Sequence, residues 1–265
     1  MPQRVAVVTG GSSGIGAALA GALTARGWLC VLLARGEERL RTVADQLGCD
    51  HETCDVADRG AVDRTAKRVL ARHPRLHLLV NNAGIPARTG FLNGDPERIV
   101  AVLDTNYLGS VWCLRAFLPA LEAPADVVNV VSVSGEVARG PYSAAKHAQL
   151  AFSRSLAGEL RPRGIRVHTV KPGFVETEGF PQGRLPRPLR RLVIEPDRVA
   201  AHILASLDRG WGETTVPRLY RPAAIVQALA PNLFARVAWP ATLPGLRVAS
   251  TKPEGVGARR QGRQP

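Results

Sequence analysis

Lysine is scarce in this sequence: four of the 35 basic residues are Lys67, Lys146, Lys171 and Lys252, and the rest are arginines. Aromatic residues make up 5% and there is one methionine, so no aromatic series suited to stacking nucleobases runs along the chain. No uninterrupted apolar stretch approaches the ~18 residues of a spanning helix. The four cysteines, Cys30, Cys49, Cys54 and Cys113, have no C-x-x-C spacing and no ligand spacing with the six histidines. Neither a disulfide framework nor a metal site is expected, and a reducing compartment is. A strand-like run starts at Arg4 with no basic and apolar leader before it, so no secretory signal is expected and the chain is assigned to the cytoplasm.

Acidic residues are also few, 22 against 35 basic ones, which gives a net charge of +13. From Pro181 to Pro265 there are 14 basic and five acidic side chains, so most of the excess lies in the last third. Such an excess suits an anionic partner, but the arginine-heavy, proline-rich usage equally reflects composition. What is present is ordinary: 45% apolar and 22% charged residues, as in soluble globular domains. A chain of 265 residues can bury the core of one α/β domain with a C-terminal extension.

Short β-rich runs recur between helical patterns: 4–9, 29–34, 51–56, 76–80, 126–132 and 165–171. They are nearly continuous apolar runs, as in strands covered on both faces. The fold class predicted is α/β, a single doubly wound Rossmann-like domain with a parallel sheet and helices on both faces. After Lys171 the rhythm loosens, and 11 of the 20 prolines fall in 181–265. A helix is expected from about Glu195 to Arg209, a last strand at 213–217, and a helix pair broken by Pro231 within 222–239. That pair reads as packing on the domain or on a second subunit, with contact to a bilayer surface as the weaker alternative. The domain is placed at 1–248, followed by a disordered basic tail at 249–265.

After the first strand comes TGGSSGIG, Thr9 to Gly16, running into a helical segment. Glycines permit the tight turn and let backbone N–H groups approach a pyrophosphate, which the helix N-terminus attracts. At the end of the second strand, where a carboxylate would bind a ribose 2′-OH, stand Ala34 and Arg35. A guanidinium suits a 2′-phosphate, so NADP(H) is predicted over NAD(H). Tyr142 and Lys146, four apart in a helical pattern, share a face. An ammonium beside a phenol favours the phenolate, so a lowered Tyr142 pKa is expected.

The chain resembles the short-chain dehydrogenase/reductase family through TGGSSGIG, CDV with Asp55, NNAG at 81–84, Asn106 in TNYLGS, Ser132, YSAAK at 142–146 and KPGFVET from Lys171. These motifs span about residues 4–177. The resemblance implies catalysis by Asn106, Ser132, Tyr142 and Lys146. Tyr142 exchanges a proton with a carbonyl or alcohol, Ser132 holds its oxygen, and Asn106 completes a water-linked relay through Lys146. It implies cofactor contacts at Gly10, Ser12, Ser13, Gly14, Ile15 and Gly16, at Asp55 and Val56, and at Asn82, Ala83 and Gly84 with Asn81. Further contacts are implied at Tyr142, Lys146, Pro172, Gly173, Val175 and Thr177. It further implies a lid at about 177–195 and a homodimer or homotetramer. Ser132 and Tyr142 are ten residues apart, about three fewer than usual in the family; Ser134 is the rival for the serine position. The expected activity is NADP(H)-dependent interconversion of a small, lipophilic aldehyde or ketone and an alcohol. Two other readings stand beside it: a non-catalytic NADP(H)-binding regulatory protein of the same fold, and a nucleic-acid or membrane binder driven by the basic tail. No nucleic-acid partner is expected.

Overall fold

The computed structural model describes residues 3–137, 140–177, 190 and 192–232. Most of the expected lid, including Phe180, Leu185 and Leu189, lies outside the described residues, as do the second half of the C-terminal helix pair and the tail. Seven strands form one parallel sheet in the order β3-β2-β1-β4-β5-β6-β7. They are β1 (Val5–Thr9), β2 (Leu29–Ala34), β3 (Asp50–Thr53), β4 (Leu76–Asn81), β5 (Leu121–Val130), β6 (Ile165–Pro172) and β7 (Glu213–Val216). The apolar runs account for them: all five residues of β1 and the middle four of β2 are buried. Such runs are stable only where helices cover both faces.

The helices are α1 (Gly14–Thr24), α2 (Glu37–Leu47), α3 (Arg59–Arg72), α4 (Pro96–Leu103), α5 (Gly109–Phe117), α6 (Gly140–Leu160), α7 (Pro196–Arg209) and α8 (Arg221–Leu229). Side chains set several starts: Asp58 accepts from Ala61 N at the head of α3, and Asp95 accepts from Glu97 N before Pro96 at the head of α4. Leu19, Leu23, Leu40 and Ile203 from α1, α2 and α7 pack on one face of the sheet. Val62, Val69, Cys113, Phe117 and Leu156 from α3, α5 and α6 pack on the other. Each fully buried leucine or valine contributes about 1.5–3 kcal/mol against exposure. The strand order reverses between β1 and β4, which opens a crevice at the carboxyl ends of these strands.

Three elements differ from the sequence reading: β3 runs from Asp50 to Thr53 and stops short of the expected end at Val56. β5 begins at Leu121 rather than Asp126 and ends at Val130, so Ser132 lies two residues past the strand instead of on its last position. Glu122, Ala123 and Pro124 are exposed and interrupt the apolar run that marks the strand's core. The expected helical segment TNYLGS is not one regular helix: Asp104–Leu108 forms a π turn between α4 and α5. Such turns carry no periodicity signal and concentrate at functional sites.

Candidate active site

The glycine loop joins β1 to α1 at the crevice. Gly10 (φ 67°) and Gly14 (φ 52°) take left-handed conformations that favour glycine. A Cβ on Gly10 would lie 2.8 Å from Asn82 Nδ2 and 3.0 Å from Ala83 Cα. Ser13 precedes α1 in extended backbone and makes no side-chain cap, so the helix's first N–H groups meet no capping side chain. The loop is braced from β4. Asn82 Nδ2 donates to Thr9 O (2.9 Å) and Gly10 O (3.3 Å), and Thr9 Oγ1 accepts from Asn82 N and Ala83 N, each at 3.0 Å. A glycine turn leading into uncapped helix N–H groups fits a pyrophosphate, which Gly10, Ser12, Ser13, Gly14, Ile15 and Gly16 would hold. Thr177 reaches the same loop: a Cβ on Gly14 would lie 3.1 Å from its Cγ2.

At the outer end, Arg35 follows β2 and forms a loose 3.9 Å ion pair with Asp55, both side chains being more than 40% exposed. Several residues expected to touch a cofactor place side-chain atoms against the protein itself. Asn82 Nδ2 is committed to bracing the glycine loop. Val56 is buried, and a Cβ on Gly109 of α5 would lie 2.7 Å from its Cγ2. Val175 is buried in the α7-side core and pairs with Ile194 in an isolated bridge. Their side chains supply packing, because in each case the apolar group has a core to enter. Gly173 N donates to Val216 O (2.9 Å), and Pro172 is the last, buried residue of β6.

The chemistry-bearing side chains meet where β5, the π turn and α6 converge. Tyr142 and Lys146 project from one face of α6, with Lys146 Nζ 5.9 Å from the centre of the Tyr142 ring. Ser132 Oγ accepts from Ser134 N (3.1 Å) and lies close enough to Tyr142 to act on its ionisation. The hydroxyl that acts on the Tyr142 phenol is that of Ser132. Asn106 uses its whole amide on Ile85: Oδ1 accepts from Ile85 N (2.6 Å) and Nδ2 donates to Ile85 O (2.9 Å).

The electrostatics differ from the sequence expectation. Burial pushes the Tyr142 phenol above its usual range, and the Ser132 hydroxyl pulls it partly back. Burial also lowers Lys146 to about 7, since no carboxylate pairs with it among the described residues. The lysine therefore does not make Tyr142 a phenolate in this structure, because the cost of burying either charge outweighs their mutual effect. The resting tyrosine is a neutral proton donor.

Sequence reasoning missed two polar groups. Beneath the site, Asn81 Nδ2 donates to Asn129 Oδ1 (2.9 Å), Asn129 Nδ2 donates to Ser153 Oγ (2.8 Å), and Ser153 meets Thr169 Oγ1 (2.7 Å). Beside Lys146, Gln149 Oε1 accepts from Nζ at 2.7 Å. The available signal was spacing: Tyr142, Lys146, Gln149 and Ser153 fall on one helix face, where an apolar stripe would otherwise stand.

The family model described as short chain dehydrogenase matches residues 4–184. A 3-oxoacyl-[acyl-carrier-protein] reductase of Bos taurus is 37% identical over 183 residues, covering 66% of this chain and 77% of the relative. A short chain dehydrogenase from Burkholderia cenocepacia in complex with NADP superposes with a TM-score of 0.77 at 29% identity, covering 89% of this chain and 98% of that one. A short chain dehydrogenase/reductase from Burkholderia phymatum in complex with NAD shares the fold, with a TM-score of 0.78 at 24% identity, covering 87% and 95%. The glycine cradle at the crevice, the Ser132–Tyr142–Lys146 group and the match over two thirds of the sequence place this chain in the short-chain dehydrogenase family of oxidoreductases.

Proposed function

We propose that this protein is an NADP(H)-dependent reductase that converts the carbonyl of a small, lipophilic aldehyde or ketone to an alcohol, with Tyr142 as the proton donor. The observation that carries the reading is the convergence of Ser132, Tyr142 and Lys146 beside a glycine loop whose helix N-terminus lacks a capping side chain. A nicotinamide dinucleotide bound there supplies the hydride. Ser132 donates a hydrogen bond to the substrate oxygen and fixes its position, and Tyr142 delivers the proton to that oxygen as negative charge develops. The half-buried phenol, its pKa raised instead of lowered, holds the proton that reduction of a carbonyl consumes. Lys146, above Tyr142 on the same helix face, supplies a buried cation near the nucleotide site.

Arg35 supports NADP(H) over NAD(H): its pair with Asp55 is long and exposed, and so leaves the guanidinium open to a 2′-phosphate. Phe91 and Leu92, exposed in the segment after β4 that approaches the start of α6 at Gly140, support an apolar substrate. The relative named 3-oxoacyl-[acyl-carrier-protein] reductase adds oxoacyl thioesters to the candidates. A cytoplasmic location belongs to the same proposal.

The test is oxidation of NADPH by the purified protein with aldehydes, ketones, quinones and oxoacyl thioesters. Turnover is expected with at least one apolar carbonyl. Ser132→Ala should lower kcat by about 10²–10³-fold, and Ser134→Ala by much less. Tight NADPH binding without oxidation across all four classes would overturn the proposal in favour of a cofactor-binding regulator.

A further inference from the structure

We propose that Gln149 is a positioning residue for Lys146: its side-chain amide, fixed by Ser110, keeps the lysine in its ammonium form and aims the remaining N–H toward the nucleotide site. The inference rests on the reading of Lys146 as part of the catalytic group.

Gln149 is fully buried on the face of α6 that carries Tyr142 and Lys146. A glutamine in a core costs roughly 2 kcal/mol or more unless its polar atoms are matched. Here both are: Oε1 accepts from Lys146 Nζ at 2.7 Å, and Nε2 donates to Ser110 Oγ, itself buried on α5, at 2.9 Å. The ammonium settles which way the amide faces, because turning it over would set an NH₂ group against it, and the Ser110 hydroxyl then accepts from Nε2. Leucine would fill the site without these demands, so what the glutamine adds is a fixed acceptor for Lys146.

Lys146 has three N–H groups to place. One goes to Val130 O at the end of β5 (3.0 Å) and one to Gln149. Toward Gly84 the ammonium faces a main chain without a side chain: a Cβ there would lie 3.8 Å from Nζ and 2.9 Å from Asn106 Oδ1. Of the elements around Nζ, α6 contributes Tyr142 as the ionisable group. β5 presents a carbonyl, the turn after β4 presents Gly84, and the π turn presents an asparagine whose amide is held by Ile85. With no carboxylate paired to it among the described residues, the ammonium depends on neutral acceptors. A charged donor strengthens a hydrogen bond to such an acceptor. Removing Gln149 Oε1 leaves one carbonyl to hold a buried cation whose proton is already loosened by burial.

The experiment uses the full chain labelled with ¹³C-lysine. Four lysines give four Cε signals, and Lys146→Arg identifies the one of interest. In wild type that signal is expected to titrate at about 7. Gln149→Leu should move its midpoint down by about one pH unit, and Gln149→Glu, which offers a carboxylate to the same N–H, should move it up by a similar amount. Ser110→Ala, which frees the amide to rotate, should give a smaller downward shift. In turnover, the alkaline limb of kcat should follow the midpoint in each variant, whereas a purely structural role would alter stability and leave the limb in place. An unchanged Lys146 titration in folded Gln149→Leu overturns the proposal. If that variant does not fold, opposite shifts in Gln149→Glu and Ser110→Ala sustain it, and the absence of both overturns it. The titration needs no substrate: shifts in a protein that reduces no carbonyl would sustain the role of Gln149 and refute the proposed activity.

Discussion

Two lysines on neighbouring elements are buried almost equally, Lys146 at 3% exposure and Lys171 at 6%, but in opposite company. Lys171, near the end of β6, lies 2.6 Å from both Glu136 and Glu213, and Arg154 of α6 makes a two-pronged contact with Glu213 at 2.7 and 2.8 Å. Lys146, by contrast, meets a carbonyl, an amide oxygen and the face of a tyrosine ring. The difference separates two uses of a buried cation. Matched by carboxylates, it fastens structure, here tying the short segment between Ser132 and Tyr142 to β6, β7 and α6 through Glu136. Matched only by neutral acceptors, it is left with a loosened proton, a perturbation of the kind found at functional sites.

Replacing each lysine by methionine separates the two most sharply. Lys146→Met should cut NADPH oxidation by about 10²–10⁴-fold, yet cost less stability at neutral pH than the loss of Lys171, because no carboxylate among the described residues is left without its partner. Lys171→Met should cost about 3–5 kcal/mol in chemical denaturation, since two partly buried carboxylates lose their shared partner. Equal stability losses in the two variants would erase the distinction. The pH dependence of stability gives a smaller separation. Arg154 and Lys171 hold the Glu213 carboxyl at about 2 against an ordinary 4.5. Its stabilisation is therefore complete above pH 4.5 and lost as pH falls toward 2, and Glu213→Gln should flatten denaturation curves in that window. For Lys146 stability also rises with pH, but because the folded state disfavours the charged form instead of favouring it. Its folded value of about 7 lies below the ordinary 10.5, so the unfolded chain binds more protons between them. Stability from this group rises from pH 7 to 10.5, and Lys146→Met should abolish that rise. The smallest effect is expected at the exposed end of the cofactor site, where Arg35→Ala should lower the preference for NADPH over NADH by about tenfold, read from KM for the two cofactors.

How much of this was legible in the sequence depended on whether a feature is local. The strands were visible because residues buried on both faces must be apolar, and the glycine loop because its geometry requires glycine at Gly10 and Gly14. The start of β5 was hidden by exposed residues at Glu122 to Pro124. The π turn at Asn106 has no pattern of its own. Tyr142 and Lys146 could be paired from spacing, but the sign of the tyrosine shift could not, since desolvation depends on what α6 packs against. Val56 and Val175 belong to cofactor-binding motifs by position while their side chains enter the core. The Glu136–Lys171–Glu213–Arg154 group joins four elements far apart in sequence, and only folding reveals it. Gln149 was a polar residue on a face that should have been apolar, a local sign whose meaning waited for Lys146 Nζ and Ser110.

The central claim is that Tyr142 gives its proton to the substrate oxygen as hydride reaches the carbon. Single-turnover oxidation of bound NADPH by an accepted carbonyl, compared between wild type and Tyr142→Phe, tests it most directly. The account predicts a rate about 10²–10⁴-fold lower in the variant, with the Kd for NADPH changed by no more than about threefold. A Tyr142→Phe protein that oxidises NADPH at the wild-type rate would contradict it.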